Sequence, residues 1–593
     1  MLTDHLAVVL LRSADAFADR PAVAGKTGGQ WVTRTFREVA ADSAALAQAL
    51  VGRGVGPGDT VAIFSANRPE WLITDFGILS ARAVTVPLYA TNTPAQAEYV
   101  VADAGPAIVF VGNQQQYDAV DSFRARVPAV RLVVALDPDV DLRGRDSIHL
   151  GDLLAEGYAA VQPGSVERRL AAATPQDVAT IIYTSGTTGE PKGAVLTHAN
   201  FIHQLNALDE RFSIGPDDRS LCFLPLSHAY ERGWTMYVMA HGAANYLLAD
   251  TGAVIEALAE VRPTLMVSVP RLFEKVYAGV QDRLAASSPV KRRLARWALD
   301  VGATYQRQRQ QGAPPGLLLR ARHSVADRLV LSSIRDVLGG EKNVLAAGGA
   351  PLASEIEEFF LAAGILICQG YGMTETTAML TCNYPGGVRF GTVGRPVAGV
   401  EIKIAEDGEI LARGGNVMRE YHRKPAETAE VLEGGWLHTG DIGELDADGY
   451  LRVTDRIKDI IITSQGKNVA PQHIETQFSA DPFLEQVVVV GDRRAYLTAL
   501  VQPNFPAVEE WARAHGVHWT TREELVSDPA VVEMVGARLD AESGQLAGYE
   551  RVKRFTLVPH EFTQAEGELT PTLKIRRRVV EERYHDLIDA MYG

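Results

Sequence analysis

Two hydrophobic rhythms run through the first part of the chain. Short apolar runs, at Val61–Phe64, Ala83–Leu88 and Ala107–Val111, are separated by stretches such as Trp71–Leu79 that read as helix. Short runs bounded by turn signals predict buried strands, and strands parted by helices predict a mostly parallel α/β sheet. Gly52, Gly54, Gly56 and Gly58 lead into a strand instead of following one, so they predict a turn and not a dinucleotide fingerprint. The same rhythm returns at Val178–Tyr183, Leu221–Leu226, Leu265–Val269, Val344–Ala347 and Ile365–Cys368, with a helix from His198 to about Leu208.

From Glu401 to Ala412 the pattern shifts to short strands with acidic turns such as Ala405-Glu406-Asp407-Gly408. A turn-rich segment, a Trp436–Gly443 block and a turn at Asp446–Gly449 follow. Beyond Arg456 the runs describe a smaller unit, in which Val487–Val490 and Leu497–Val501 read as a strand pair joined by Asp492-Arg493-Arg494. We therefore expect a large N-terminal domain over 1–455, with parallel or mixed sheets, helices and a β-subdomain, and a small α+β domain over 459–593. One irregular stretch interrupts the larger unit. Between Gln281 and His323 stand Lys291, Arg292, Arg293, Arg296, Arg307, Arg309, Arg320 and Arg322 against the acid Asp300, while Leu294, Trp297, Val301 and Tyr305 recur at helical spacing. Two readings are open: a solvated helix packed on the domain, or a basic amphipathic patch that touches an anionic membrane surface.

Composition narrows the function classes. A chain of 593 residues, 46% hydrophobic, buries a large core and exceeds one domain. A net charge of −15 excludes a typical nucleic-acid binder and means that any anionic ligand must be held by local cations. Cys222, Cys368 and Cys382 form no close-spaced pair, which fits neither a disulfide framework nor a zinc site. The apolar run Leu6–Leu11, after Asp4 and His5 and before Arg12, is too short to span a bilayer and lacks the pattern of a leader. A soluble, cytoplasmic protein is expected, with peripheral contact at the inner membrane surface as the alternative.

The candidate chemistry centres on Tyr183-Thr184-Ser185-Gly186-Thr187-Thr188-Gly189-Glu190-Pro191-Lys192-Gly193, fed by the strand at Val178. Glycines let the backbone approach an anion, hydroxyls donate hydrogen bonds and Lys192 supplies charge, so the loop suits a polyphosphate. It is not a Walker A loop, because Pro191 precedes the lysine and Gly193 follows it. Its word order resembles the phosphate loop of the adenylate-forming superfamily: acyl-CoA synthetases, luciferases and peptide-synthetase adenylation domains.

Further stretches carry the same resemblance, in family order, from about Phe36 to Arg578. Leu224-Pro225-Leu226-Ser227-His228-Ala229-Tyr230-Glu231-Arg232 is similar to the form found in long-chain acyl-CoA synthetases, and implies that His228 lies beside the acyl carboxylate. Gly348-Gly349-Ala350-Pro351 and Gln369-Gly370-Tyr371-Gly372-Met373-Thr374-Glu375 follow strands, where open α/β sheets bind ligands. The resemblance implies an adenine lying along the glycine turn and stacked on Tyr371, an α-phosphate contact from Thr374, and Mg²⁺ on Glu375 with Thr187 as a second contact. Asp441, in what reads as a Gly-flanked turn, corresponds to the ribose-binding aspartate. Arg456 would touch ribose and phosphate, and Lys458 takes the hinge position in a 456–458 linker. Lys574, in Thr570-Pro571-Thr572-Leu573-Lys574, takes the place of the catalytic lysine of the first half-reaction. Gly466, Lys467 and Asn468 would line the coenzyme A path after the C-terminal domain turns. Three features depart from the common pattern: Leu445 for a tryptophan, Lys467 for a glutamate, and Thr-Leu-Lys for Ser-Gly-Lys.

The resemblance implies an enzyme that activates a long-chain fatty acid with ATP and Mg²⁺, through an acyl-adenylate, and passes it to coenzyme A. The nearest alternative is a fatty acyl-AMP ligase that serves a carrier protein. A peptide-synthetase module fits less well, since no carrier domain follows Gly593. A nucleotide or lipid sensor on the same fold is the alternative of another class, against which the presence of both Glu375 and Lys574 argues.

Overall fold

The computed structural model describes residues 5–144, 146–184, 190–310, 312–464, 467–564, 566–570 and 574–593. Over these residues the larger part of the chain forms two main sheets. One has eight strands in the order Glu420–Tyr421, Lys192–Thr197, Val178–Thr184, Val84–Leu88, Thr60–Phe64, Ile108–Val111, Leu132–Ala135 and Ser147–His149. The other has nine, running from Arg395–Pro396 and Thr381–Cys382 through Ile367–Tyr371, Val344–Ala347, Leu265–Ser268, Arg219–Cys222 and Ala244–Leu247 to the hairpin Pro21–Thr27 and Gln30–Thr35. Pairing is parallel through the middle of both sheets and antiparallel at their ends, except that the edge strand Ser147–His149 pairs in parallel with Leu132–Ala135. The strand Val84–Leu88 is buried on both faces, with Val84, Val86 and Leu88 on one and Thr85 and Pro87 on the other, as a parallel sheet covered by helices requires.

Helix starts are marked by side chains that take up free backbone N–H groups. Thr35 with Glu38, Thr93 with Gln96, and Thr197 with Asn200 each form a reciprocal capping box. Asn200 also donates to the Gly415 and Val417 carbonyls, so the cap of helix His198–Asp209 ties that helix to the β-subdomain. This subdomain is a five-stranded antiparallel sheet containing Val400–Ile404, Glu409–Gly414, Trp436–Leu445 and Leu451–Arg456.

Several sequence expectations are corrected. Leu221–Leu226 is not one strand: the strand is Arg219–Cys222, and Pro225, with no N–H to give a ladder, turns the chain. Ile365 belongs to the end of a helix, since its N–H returns to the Phe360 carbonyl beside Gly364 at φ 88°. The next strand is Ile367–Tyr371, extended past Cys368 by antiparallel pairing with Thr381–Cys382. Asp441 does not lie in a turn. It is in the ten-residue strand Trp436–Leu445, opposite Arg456, just before a register shift between Ile442 and Gly443. The 281–323 segment is mostly helical, as Pro289–Gln310 followed by Leu317–Ala326.

One ion pair is sealed in the core. Arg232 and Asp75, both 0% exposed, meet through two bonds of 2.9 and 2.6 Å, and Thr85 donates to the same carboxylate. Beyond Asp459 the chain forms a second layer structure, a sheet of Leu484–Val490, Leu497–Pro503 and Val552–Leu557 with a hydrophobic cluster on each face. It touches the larger body at Arg271, whose guanidinium donates to the Glu485 carbonyl at 2.7 Å and pairs with its carboxylate at 2.8 Å. No helix among the described residues is long and apolar enough to cross a membrane.

Candidate functional site

A cavity of about 850 Å³ opens at the carboxyl ends of the central strands and reaches to the C-terminal unit. Its volume is in the range of sites that enclose a ligand. Thr184 and Lys192 line it from the two arms of the phosphate loop; Ser185, Gly186, Thr187, Thr188 and Gly189 lie outside the described residues. The arms are the antiparallel strands Val178–Thr184 and Lys192–Thr197. Lys192 stands over the Tyr421 ring at 5.1 Å, and the Tyr421 hydroxyl donates to Glu375 Oε1 at 2.7 Å. One tyrosine thus meets a cation with its ring face and a carboxylate with its hydroxyl, an arrangement suited to phosphate oxygens and a divalent ion together.

Thr374 and Glu375 form a short 3₁₀ turn after strand Ile367–Tyr371, and both line the cavity. The turn is closed by Thr377 and Ala378, each at positive φ. Gly370 and Gly372 are on the wall as well. A Cβ at Gly372 would stand 2.5 Å from the Ala378 carbonyl carbon and from the Met379 nitrogen, so a side chain there must push the turn away. Gly372→Ala is expected to cost about 1–3 kcal/mol through packing strain, read by urea unfolding; unchanged stability would refute the tight approach.

Tyr371 and Asp441, 70 residues apart in sequence, are joined by a 2.6 Å hydrogen bond from the phenol to Oδ2. Arg456 Nε reaches Oδ1 at 3.2 Å from the neighbouring strand. Each carboxylate oxygen has a second lone-pair direction, so this fixed carboxylate can still accept from a vicinal diol. Glu409 steadies the approach to Asp441: Oε1 accepts from Gly440 N and Oε2 meets His438 Nδ1 at 2.7 Å. Gly349, at φ 85°, lines the cavity, whereas Ala350, Pro351, Gln369 and Tyr371 are not among its lining residues. The Gln369 amide bonds Leu352 N and O, and so holds the glycine turn from behind.

Lys574 enters from the C-terminal unit. Its Cε lies 3.7 Å from where a Cβ of Gly349 would be, and its backbone exchanges hydrogen bonds with Thr570. Pro571, Thr572 and Leu573 lie outside the described residues. Burial lowers the Lys574 pKa to about 8, with Arg456 adding to the effect and Asp441 opposing it. His228 caps helix Ala229–Ala240 through Nδ1, and burial, reinforced by the Lys574 charge, lowers its pKa to about 4, so the imidazole is neutral. Next on that helix Glu231 is 0% exposed and accepts from Leu224 N, and burial raises its carboxyl well above the usual range. Past these groups the wall is apolar, formed by Leu208, Phe212, Leu224, Trp234, Val267 and Val269.

Lys458 lines the rim from the exposed 3₁₀ turn Ile457–Asp459. Lys467 and Asn468 are away from the cavity wall: Lys467 stands over the Tyr549 ring at 5.7 Å, and Asn468 pairs as backbone in the ribbon with Ile461–Ile462. Gly466 lies outside the described residues. Sequence reasoning missed Tyr421 and Glu409. Neither belongs to a glycine-rich motif, and the one available signal was an aromatic or acid at a strand end.

Whether these residues fit Mg²⁺ depends on the donor set. Among the described residues no group of three or more His, Cys, Asp or Glu could form a protein cage. Glu375, a single carboxylate facing the phosphate-loop arms, fits the mode in which Mg²⁺ is shared between one carboxylate and substrate phosphates.

A family profile described as AMP-binding enzyme matches residues 10–422, and one described as AMP-binding enzyme C-terminal domain matches 458–593. The chain is 37% identical over 568 residues to the long-chain-fatty-acid–CoA ligase FadD15 of Mycobacterium tuberculosis, covering 95% of this chain and 93% of the relative. It is 31% identical to the human long-chain-fatty-acid–CoA ligase 1, covering 95% and 82%. Among solved structures it is similar to the anthranilate CoA ligase AuaEII in complex with anthranoyl-AMP, at a TM-score of 0.75 and 20% identity over 100% and 99% of the two chains. It is also similar to ATP-bound MatB from Rhodopseudomonas palustris, at 0.70 and 25% over 98% and 99%.

Proposed function

The chain belongs to the AMP-binding enzyme family, and we propose that it converts a long-chain fatty acid, ATP and coenzyme A into acyl-CoA, AMP and pyrophosphate through an acyl-adenylate. The observation that carries this reading is the position of Lys574. An ammonium from the C-terminal unit is held in the same cavity as Thr374, Glu375, Asp441 and Arg456, at the mouth of an apolar wall. The names of the relatives support the long-chain acid as substrate and coenzyme A as acceptor.

In the first half-reaction a carboxylate oxygen bonds the α-phosphorus of ATP, and the bond to the departing pyrophosphate breaks. Two anions approach, so donors placed where charge builds are worth most. Lys574 donates between the carboxylate and the α-phosphate oxygens, and Thr374 donates to the α-phosphate. Asp441, held by Tyr371 and Arg456, accepts the ribose hydroxyls, and the adenine lies along Gly348 and Gly349 against Tyr371. Lys192, Thr184 and the loop between them take the departing phosphates. Glu375 would hold Mg²⁺, which when bound neutralises phosphate charge. His228, neutral, lies by the carboxylate without adding a second cation, and the alkyl tail runs along Leu208, Phe212 and Trp234.

In the second half-reaction the coenzyme A thiol loses its proton, sulfur bonds the acyl carbon and the acyl–phosphate oxygen bond breaks to release AMP. Lys574 must first withdraw. The 459–593 unit would rotate about Lys458, parting the Arg271–Glu485 contact and bringing the Gly466-Lys467-Asn468 segment to the site. Closure steps of this kind commonly limit turnover.

A pH dependence follows with a definite sign. Lys574 serves only as a cation, and with its pKa lowered to about 8 it is charged below that pH and neutral above it. The kcat/KM for adenylate formation, which reports groups of the free enzyme, is expected to be level below about pH 8 and to fall about tenfold per unit above it. A level profile to pH 10 would contradict the assignment. The reading as a whole is tested by ATP–pyrophosphate exchange. Exchange stimulated by a palmitate-like acid and not by benzoate supports it; exchange with aromatic acids alone would replace it.

A further inference from the structure

We propose that the paired helices Pro289–Gln310 and Leu317–Ala326 form a docking surface for an anionic lipid bilayer. On the second helix Leu319, His323 and Ala326 turn inward, while Leu317, Ala321 and Val325 recur at four-residue spacing on the solvent side, with Leu318 beside them. Leu317 is 84% exposed, Leu318 74% and Val325 51%, and Leu329, just past the helix, is 54% exposed. An amphipathic helix on a water-facing surface carries polar residues on its outer side, and this one carries an apolar stripe. Val290, at the start of the first helix, is also exposed, at 76%.

The helix pair that carries the stripe is also strongly basic. Residues 289–331 contain nine lysines and arginines against two aspartates, in a chain whose net charge is −15. Lys291, Arg292, Arg293 and Arg296 lie exposed on the first helix, and Arg320 and Arg322 flank the leucines on the second. None of the nine cations is in an ion pair among the described residues, and the acid Asp327 is taken by Arg335 at 2.6 Å. The helices pack on each other: Tyr305 stacks on His323 at 3.9 Å, and Ala298, Val301, Ala326 and Leu331 share a small core.

An outward apolar stripe with cationic flanks matches the geometry of a helix lying in a bilayer interface: leucines below the headgroups and guanidinium groups level with the phosphates. A second copy is a poorer occupant, since a two-fold contact would set this cationic surface against itself. An acidic protein would satisfy the charges but gives no reason for bare leucines beside them. Of the two readings open in the sequence, the exposed stripe favours the membrane.

The test is co-sedimentation of the full chain with vesicles of phosphatidylcholine alone or with one-third phosphatidylglycerol. Binding to the phosphatidylglycerol vesicles is expected, weakened about tenfold or more on neutral vesicles and in high salt. The double variant Leu317→Ser/Leu318→Ser is expected to lose about tenfold in partitioning with its thermal midpoint unchanged, because both side chains contact solvent. A second variant, Arg292→Glu/Arg293→Glu, should remove the preference for anionic lipid. Failure to bind the anionic vesicles, or undiminished binding by the leucine variant, would overturn the proposal. So would a wild-type dimer, seen by light scattering, that the leucine variant dissolves while no vesicle binding is found. Adenylate formation assayed with dissolved substrate is independent of every one of these outcomes.

Discussion

Lys574→Ala is expected to slow acyl-adenylate formation by about a hundred- to a thousandfold, the usual effect of removing one preorganised donor from a developing anion. The alanine keeps the backbone exchange with Thr570 and leaves untouched the groups proposed to hold the nucleotide, Tyr371, Asp441 and Arg456. ATP affinity should therefore change little, while the rate of the chemical step falls. The effect should also be confined to one half-reaction. Supplied with synthetic acyl-adenylate and coenzyme A, the variant should make thioester at nearly the wild-type rate, because the lysine has withdrawn by then. Single-turnover measurements of the two halves check this, and an equal loss in both would mean that Lys574 supports the fold of the site instead of the phosphoryl chemistry.

Asp75→Ala is expected to destabilise the larger body by about 3–5 kcal/mol, the cost of leaving a buried charge without its partner. Arg232 is 0% exposed, lies over the Trp71 and Phe201 rings at 5.8 and 5.7 Å, and has no water to turn to once the carboxylate is gone. Thr85 would lose its acceptor as well. Arg232 Nη1 has no hydrogen-bond partner among the described residues even with the pair intact, so the native arrangement is incompletely satisfied. Replacing both members with apolar residues, as in Asp75→Leu/Arg232→Met, should therefore cost less than the single change. Urea unfolding followed by the fluorescence of the buried Trp71 and Trp234 reads the difference. A single variant as stable as wild type would contradict the buried-charge account. Because Arg232 is on the helix that His228 caps, the single variant should also lose activity in step with its unfolded fraction.

Much of the site was legible because its parts are local. A glycine-rich loop after an apolar run, or Gly-Tyr-Gly-Met-Thr-Glu after another, can be read within a dozen residues, and the structure places Thr184, Lys192, Gly370, Thr374 and Glu375 on one cavity wall. What escaped is what only tertiary contact creates. Tyr421 reaches Glu375 across 46 positions, and Glu409 clamps Gly440 across 31. Nothing local marks Asp75 and Arg232 as a pair; the fold buries them together across 157 positions. Asp441 was expected in a turn because glycines flank it, yet the ladder with Leu451–Arg456 prevails over the local signal. The exposure of Leu317 and Leu318 is likewise a tertiary fact, since no local signal shows that two adjacent leucines lie in solvent.

Product analysis tests the central claim most directly. The protein is incubated with ATP, Mg²⁺ and a palmitate-like acid, with and without coenzyme A, and the products are identified by mass spectrometry. The account predicts acyl-CoA and AMP when coenzyme A is present and acyl-adenylate when it is absent. Acyl-adenylate that persists undiminished in the presence of coenzyme A would contradict it, and would assign the second half-reaction to another acceptor.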